Sequence, residues 1–353
     1  MDFAWKIIGQ TKIINNLIDL KNRDILPNSF IFSGPNGIGK RTLALEFAKF
    51  LNCSYSNDCD SCSRVDSFNH PDCIFIDSNS QCSDTSCCKG SSSTIIKNCV
   101  INENIISSIK FSALVGNYKV MIINEADKLS KISYESLLKT LEEVNGNIII
   151  VLLVDNISSI PETIISRCQL WKLENISQNK LKEELTNKFP DKNNDIDKVI
   201  SFGSPTIGDS IEMLTDSIFF EERQNCIERT INMLSSPKSK KLEYSKELTT
   251  IYRKDKDRLF FELSIWKKLF YEILISKNLE YLTNNFELFE NIISLNKDKL
   301  MKNIKLIRKT ENMMKKNVNP TLCLDNMVLG LEASWLYQLM VLQEQEKLQL
   351  ELN

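Results

Sequence analysis

Two rhythms of apolar residues divide this chain. In its first half, short unbroken apolar runs, Phe30 to Ser33 (FIFS), Lys119 to Ile123 (KVMII) and Asn147 to Val154 (NIIIVLLV), alternate with segments whose apolar positions recur every three or four residues, such as LALEFAKFL from Leu43. A continuous apolar run suits a strand covered on both faces, and the interleaved helices supply the cover. The pattern therefore predicts an α/β domain with a parallel sheet over residues 1–171. Past Trp171 the strand signals fade. The segments RLFFELSIWKKLFYEILI and LCLDNMVLGLEASWLYQLMVL each carry one apolar face at helical spacing, so residues 216–340 are expected to form an all-α domain. Gly203-Ser204-Pro205 punctuates a short helical stretch over 172–215, and residues 341–353 are expected to be a solvated tail.

Composition narrows the chemistry. The 353 residues suggest two or three domains, and 42% hydrophobic with 25% charged residues fits a globular protein. A net charge of −2 offers no general basic surplus, so any contact with nucleic acid has to come from a local patch or a shared assembly. The start MDFAWKIIGQ lacks a basic, apolar leader and no stretch reaches the length of a membrane span, so a cytoplasmic protein with no membrane contact is expected. A single histidine, His70, excludes a site built on several imidazoles. Seven of the eleven cysteines crowd between Cys53 and Cys88, a pattern that in a reducing compartment favours a metal over a disulfide framework. Between 78 and 99, SNSQCSDTSCCKGSSSTIIKNC lacks periodicity and reads as a long surface loop.

The strand FIFS leads directly into GPNGIGKRT and then a helix. Gly34, Gly37, Gly39 and Lys40 satisfy the phosphate-loop pattern G-x-x-x-x-G-K-[ST] except in its last place. Glycines let backbone N–H groups close around phosphates at a helix N-terminus, and the lysine reaches the outer phosphates. The hydroxyl that should hold Mg²⁺ is replaced by Arg41, and Thr42 stands one residue late, about 100° around the helix. The second anchor of that ion is an acidic residue at the end of a following strand, and there KVMII ends in Asn124, an uncharged amide, followed by Glu125. Two departures at one metal predict that hydrolysis is lost. Binding of ATP or ADP stays open, because Lys40 and the glycines remain; so does a plain scaffold role for the turn.

The ordered motifs IIGQ at Ile7, LPNSFIFSGPNGIGKRTLALEFAKFLNC from Leu26, NHPD at Asn69, GNYKVMIINEADKLS from Gly116, SLLKTLEEV from Ser136 and IPETIISRCQ from Ile160 together resemble the clamp-loader branch of the AAA+ superfamily. NVNPTLCLDNMVLGL resembles, more weakly, the end of that family's helical collar. The resemblance implies an AAA+ P-loop domain, a small helical lid over 172–215, and a collar over 216–340 that packs subunits into a ring. Within the family it points to the non-hydrolysing delta-prime branch, because Thr206 or Ile207 also stands where motor subunits keep a nucleotide-sensing arginine. It implies gamma/tau and delta subunits as partners, with the sliding clamp and primed DNA met through the complex. Arg167, in Ser166-Arg167-Cys168, matches the family's arginine finger, which acts in trans on the ATP of a neighbour. The family's four-cysteine zinc module falls on 53–73, with Cys53, Cys59 and Cys62 at three ligand positions and Ser56 at the fourth; Cys73, Cys82, Cys87, Cys88 or His70 are candidates to complete it. A motor subunit of the gamma type and a self-standing nucleic-acid-binding module are the rival readings.

Overall fold

The computed structural model describes residues 3–53, 59–83, 95–201, 206–275, 296–315 and 318–332. Five parallel strands form one sheet: β1 (Ser29–Ser33), β2 (Cys73–Ile76), β3 (Lys119–Ile123), β4 (Ile148–Val154) and β5 (Gln169–Lys172), in the order β2-β3-β4-β1-β5. The three strands in the middle are the three unbroken apolar runs, and every residue in them is buried. Alternate side chains feed opposite faces, as the pleat requires. Phe30, Phe32, Val120, Ile122, Val151 and Leu153 enter one core, which helix α2 (Lys40–Asn52) completes with Leu43, Phe47 and Leu51. Ile31, Met121, Ile123, Ile150 and Leu152 enter the other, opposite Leu137 and Leu141. This makes the α/β architecture with a parallel sheet that the sequence pattern implied. The two edge strands are only four residues each and partly exposed; β5 carries no such run, and β2 (CIFI) is apolar throughout but short.

Helix α1 (Thr11–Asn22) precedes the sheet, and α3 (Asp60–Asp66) follows α2. Helix α4 (Asn98–Ile101) passes into a π-helical turn at Asn102–Ile106; α5 (Lys131–Glu143) lies between β3 and β4, and α6 (Glu162–Ile165) before β5. Of the surface loop expected over 78–99, residues 84–94, with Cys87 and Cys88, lie outside the described residues; Cys82 is buried in a sheet-face core, and the helix begins at Asn98.

The chain divides into two compact units, one of Met1–Glu184 with Thr206–Gly208, the other of Leu185–Pro205 with Asp209–Asn353. The second is helical among its described residues. Helices Ser217–Ser235, Lys238–Lys254, Lys256–Ile275, Lys297–Lys315 and Pro320–Gly330 share a core built on Leu248, Trp266, Phe270, Ile307 and Leu324. The expected tail over 341–353 and Gly203-Ser204-Pro205 lie outside the described residues.

Candidate functional site

The register of the sheet places the phosphate loop. Strands β1 and β4 are parallel neighbours, and the Gly34 N–H, just past β1, donates to the Val154 carbonyl at 3.1 Å. Gly37 and Gly39 take φ of 77° and 99°, the left-handed region in which a side chain is strained, and Gly39 caps α2. Lys40 opens that helix with its side chain 8% exposed. Its ammonium donates to the Gly34 carbonyl at 2.7 Å, the Pro35 carbonyl at 3.0 Å and Asp155 Oδ1 at 2.7 Å. Asp155, the residue after β4, was not singled out in the sequence. The signal available was position, a charge at the carboxyl end of the strand beside β1.

Of the two positions expected to anchor Mg²⁺, the first is turned to another use and the second is a neutral amide. The Arg41 guanidinium lies 4.9 Å from the Phe68 ring and 4.8 Å from the Phe75 ring, a cation–π contact. Thr42 is exposed. The Asn124 N–H donates to the Ile76 carbonyl at 2.7 Å, and Glu125, in the left-handed region at φ 53°, accepts from Lys128 and from Ser78 Oγ, each at 2.6 Å. Burial alone would raise the Glu125 carboxyl, but these two hydrogen bonds outweigh it and hold the pKa below its ordinary value. Asp127 moves the other way, raised first by burial and then by the charge of Asp155. Where the family's lid arginine would fall, Thr206 is buried.

The cysteines gather at the far end of α2. Cys53 follows the helix, Cys59 caps α3 and Cys62 lies in its first turn, with sulfur separations of 3.4 Å for Cys53–Cys59 and 3.6 Å for Cys59–Cys62. All three sulfurs lie within 4.8 Å of one another. Thiolates on one tetrahedral zinc, each about 2.3 Å from the ion, stand about 3.8 Å apart, so the spacing fits three of its four positions. Burial and the neighbouring sulfurs push the Cys62 thiol up to about 12. Burial would also raise Cys59, but hydrogen bonds led by the Cys62 backbone N–H outweigh it. A divalent cation relieves this conflict. His70 does not face it, for its Nδ1 accepts from the Asp72 N–H at 3.1 Å, which leaves Nε2 to donate to Ser61 Oγ at 2.9 Å. Cys73 and Cys82 lie in the two sheet-face cores, and Ser56, Cys87 and Cys88 are outside the described residues.

Arg167 follows α6. Its Nε donates to Glu142 Oε1 at 2.7 Å, with Nη2 paired to the same oxygen, while Nη1 donates to the Thr163 carbonyl at 2.9 Å and caps the short helix. The side chain is 37% exposed, so it keeps a face toward solvent. The motifs SLLKTLEEV and IPETIISRCQ thus meet through one ion pair.

Residues 9–177, which hold the sheet, the phosphate loop, the cysteine cluster and Arg167, match the family described as DNA polymerase III, delta subunit. This part of the chain is thus similar to clamp-loader subunits. Over 177 residues it is 34% identical to the DNA polymerase III subunit gamma of Buchnera aphidicola subsp. Acyrthosiphon pisum, covering 50% of this chain and 46% of that protein. The tau/gamma subunit of Haemophilus influenzae is 27% identical over 239 residues, 65% of this chain and 33% of that protein. The chain therefore spans about a third to a half of the length of these curated relatives. Among solved structures, a gamma subunit-related protein from Thermotoga maritima aligns with a TM-score of 0.44 and 17% identity, over 89% of this chain and 97% of that one. Among the described residues, no helix is long and apolar enough to cross a membrane. In this domain the glycine loop with Lys40 and the cysteine triad each form a local cluster, and Arg167 is held by Glu142 of α5 and the Thr163 carbonyl of α6.

Proposed function

We propose that this chain is a delta-prime-type subunit of a bacterial DNA polymerase III clamp loader, a non-hydrolysing stator that lends Arg167 to the ATP site of a neighbouring gamma/tau subunit. One observation carries the reading: at the single place where Mg²⁺ belongs, Arg41 is stacked on Phe68 and Phe75, and the strand ends in the uncharged Asn124. A phosphoryl transfer whose charge must be neutralised by a bridging metal has no anchor for it here. Arg167, in contrast, keeps its motif and its exposure. A guanidinium at the transferring phosphoryl group contributes on the order of 10³-fold or more to rate, and its planar fork can address two oxygens. The delta and gamma/tau subunits are the partners in this reading, the sliding clamp and primed DNA the substrates of the assembly, and zinc on Cys53, Cys59, Cys62 and a fourth ligand beyond these three a structural ion.

The test is made in the assembled complex. Arg167→Ala is expected to leave assembly intact and depress the clamp- and DNA-stimulated ATPase, Arg167→Lys to do little better, and Lys40→Ala in the same subunit to change the rate hardly at all. A complex with Arg167→Ala at the wild-type rate refutes the arginine's role. The relatives named gamma and tau support a second reading, that of a motor subunit; ATP turnover by the isolated chain, abolished by Lys40→Ala, would establish it.

A further inference from the structure

We propose that Asp155 is the resident counter-ion of the phosphate loop, its carboxylate taking the place on Lys40 that a nucleotide phosphate would occupy, so that the loop is closed to ATP and ADP by a charge of the chain's own. An ammonium group has three protons to give. Here all three are committed, two to the loop carbonyls of Gly34 and Pro35 and the third to Asp155. The carbonyls draw the lysine back beneath the loop, and among the described residues Asp155 supplies the full negative charge paired with it. Sheet register sets this arrangement, since Asp155 follows β4 and Gly34 follows β1, and the two strands run side by side in parallel.

A phosphate entering the loop has to displace that carboxylate, and the displaced charge stays close by. It would then face the polyphosphate beside Asp127, whose backbone neighbourhood already includes Asp155: the Asp155 N–H points to Asp127 Oδ1 at 3.5 Å. In a working phosphate loop, acidic groups near the γ-phosphate are bridged to it by Mg²⁺. With Arg41 held on two rings and Asn124 neutral, the same groups act here only as like charges. Nucleotide entry therefore breaks a short ion pair, adds repulsion and recruits no metal. This goes beyond the loss of hydrolysis, for which an occupied but inert loop would serve equally well; it rests on the non-hydrolysing reading of the loop only for the missing metal.

The full-length protein tests it by calorimetric titration with ATP and with ADP, with and without Mg²⁺. The wild type is expected to bind neither more tightly than about 1 mM, and Asp155→Asn, which keeps the shape and removes the charge, to gain about tenfold or more for both. Adding Lys40→Ala to Asp155→Asn is expected to abolish the gain. Asp155 is half exposed, and thermal melts of each variant confirm that the fold is kept. Tight, Lys40-dependent binding by the wild type overturns the proposal, as does an Asp155→Asn variant that binds no better, or one whose gain survives Lys40→Ala. If Asp155→Asn binds and also turns over ATP, the counter-ion assignment stands while the stator reading falls, so the two fail separately.

Discussion

A single side chain can be missing from one role because it has been recruited to another, and Arg41 shows both halves. The lost metal ligand was legible in the letters GKRT, since a guanidinium carries no lone pair for Mg²⁺. Its destination was not, because Phe68 and Phe75 lie far along the chain and meet Arg41 only once α2, α3 and β2 are in place. Phe68 also sits in the left-handed region at φ 58°, which no local pattern announced. Arg41→Ala is expected to cost about 1 kcal/mol in urea unfolding, the scale of a partly exposed cation–π contact, and to leave ATPase absent. Arg41→Thr alone is expected to restore no turnover, because Asn124 still withholds the second anchor. The pairing of Asp155 was illegible for a similar reason, although its position at a strand end was not: Lys40 is 115 residues away in sequence and adjacent only through strand order.

Among elements, the segment between α4 and β3 shows how a buried charge can fix a loop. Asp72 is fully buried, and its carboxylate accepts the N–H groups of Leu114 at 2.7 Å and of Val115 and Gly116 at 2.8 Å. Burial would raise its pKa, but the three backbone donors outweigh it, and the carboxyl is held below 3.8. His70 beside it is lowered from 6.5, chiefly by burial. Both shifts weaken the fold in acid, since stability rises with pH wherever the unfolded chain holds more protons. His70 is expected to withdraw stability as pH falls below 6.5, and Asp72 as pH falls from 3.8 through its lower folded value. Melting temperatures of wild type and His70→Gln, compared from pH 7.5 to 5, are expected to converge as the pH falls. A constant gap between them would show that His70 does not titrate with folding. Asp72→Asn, which turns one acceptor into a donor against a row of N–H groups, is expected to cost on the order of 2–3 kcal/mol. The motif NHPD was visible in the sequence; that its aspartate serves a loop more than forty residues on required the sheet.

For the whole molecule, the legible part was the part with one dominant period. Three buried strands announced themselves because both faces are covered, whereas the edge strands are only four residues each and partly exposed, β5 without an apolar run and β2 with one (CIFI) that the sequence reading did not single out. The helical unit was legible as a class, since each helix shows an apolar face, though not in its pairings, which depend on which faces meet. Its core, around Trp266, Phe270 and Leu324, is separate from the two cores that flank the sheet. Two units with separate cores predict two responses to damage. Trp266→Ala, at a fully buried position, is expected to destabilise the helical unit by about 3–5 kcal/mol. Removal of zinc by a chelator, or Cys59→Ser with Cys62→Ser, is expected to act on the sheet unit instead, because the three sulfurs bridge the end of α2 to α3 there and a structural zinc contributes on the order of 10 kcal/mol to local folding. Differential scanning calorimetry resolves the two: chelation should lower one transition and Trp266→Ala the other, with about one zinc per chain released in the first case. Protein purified without chelator that contains no metal would leave the three thiols as reduced side chains, and protein that keeps full zinc after both cysteines are replaced would place the ion elsewhere.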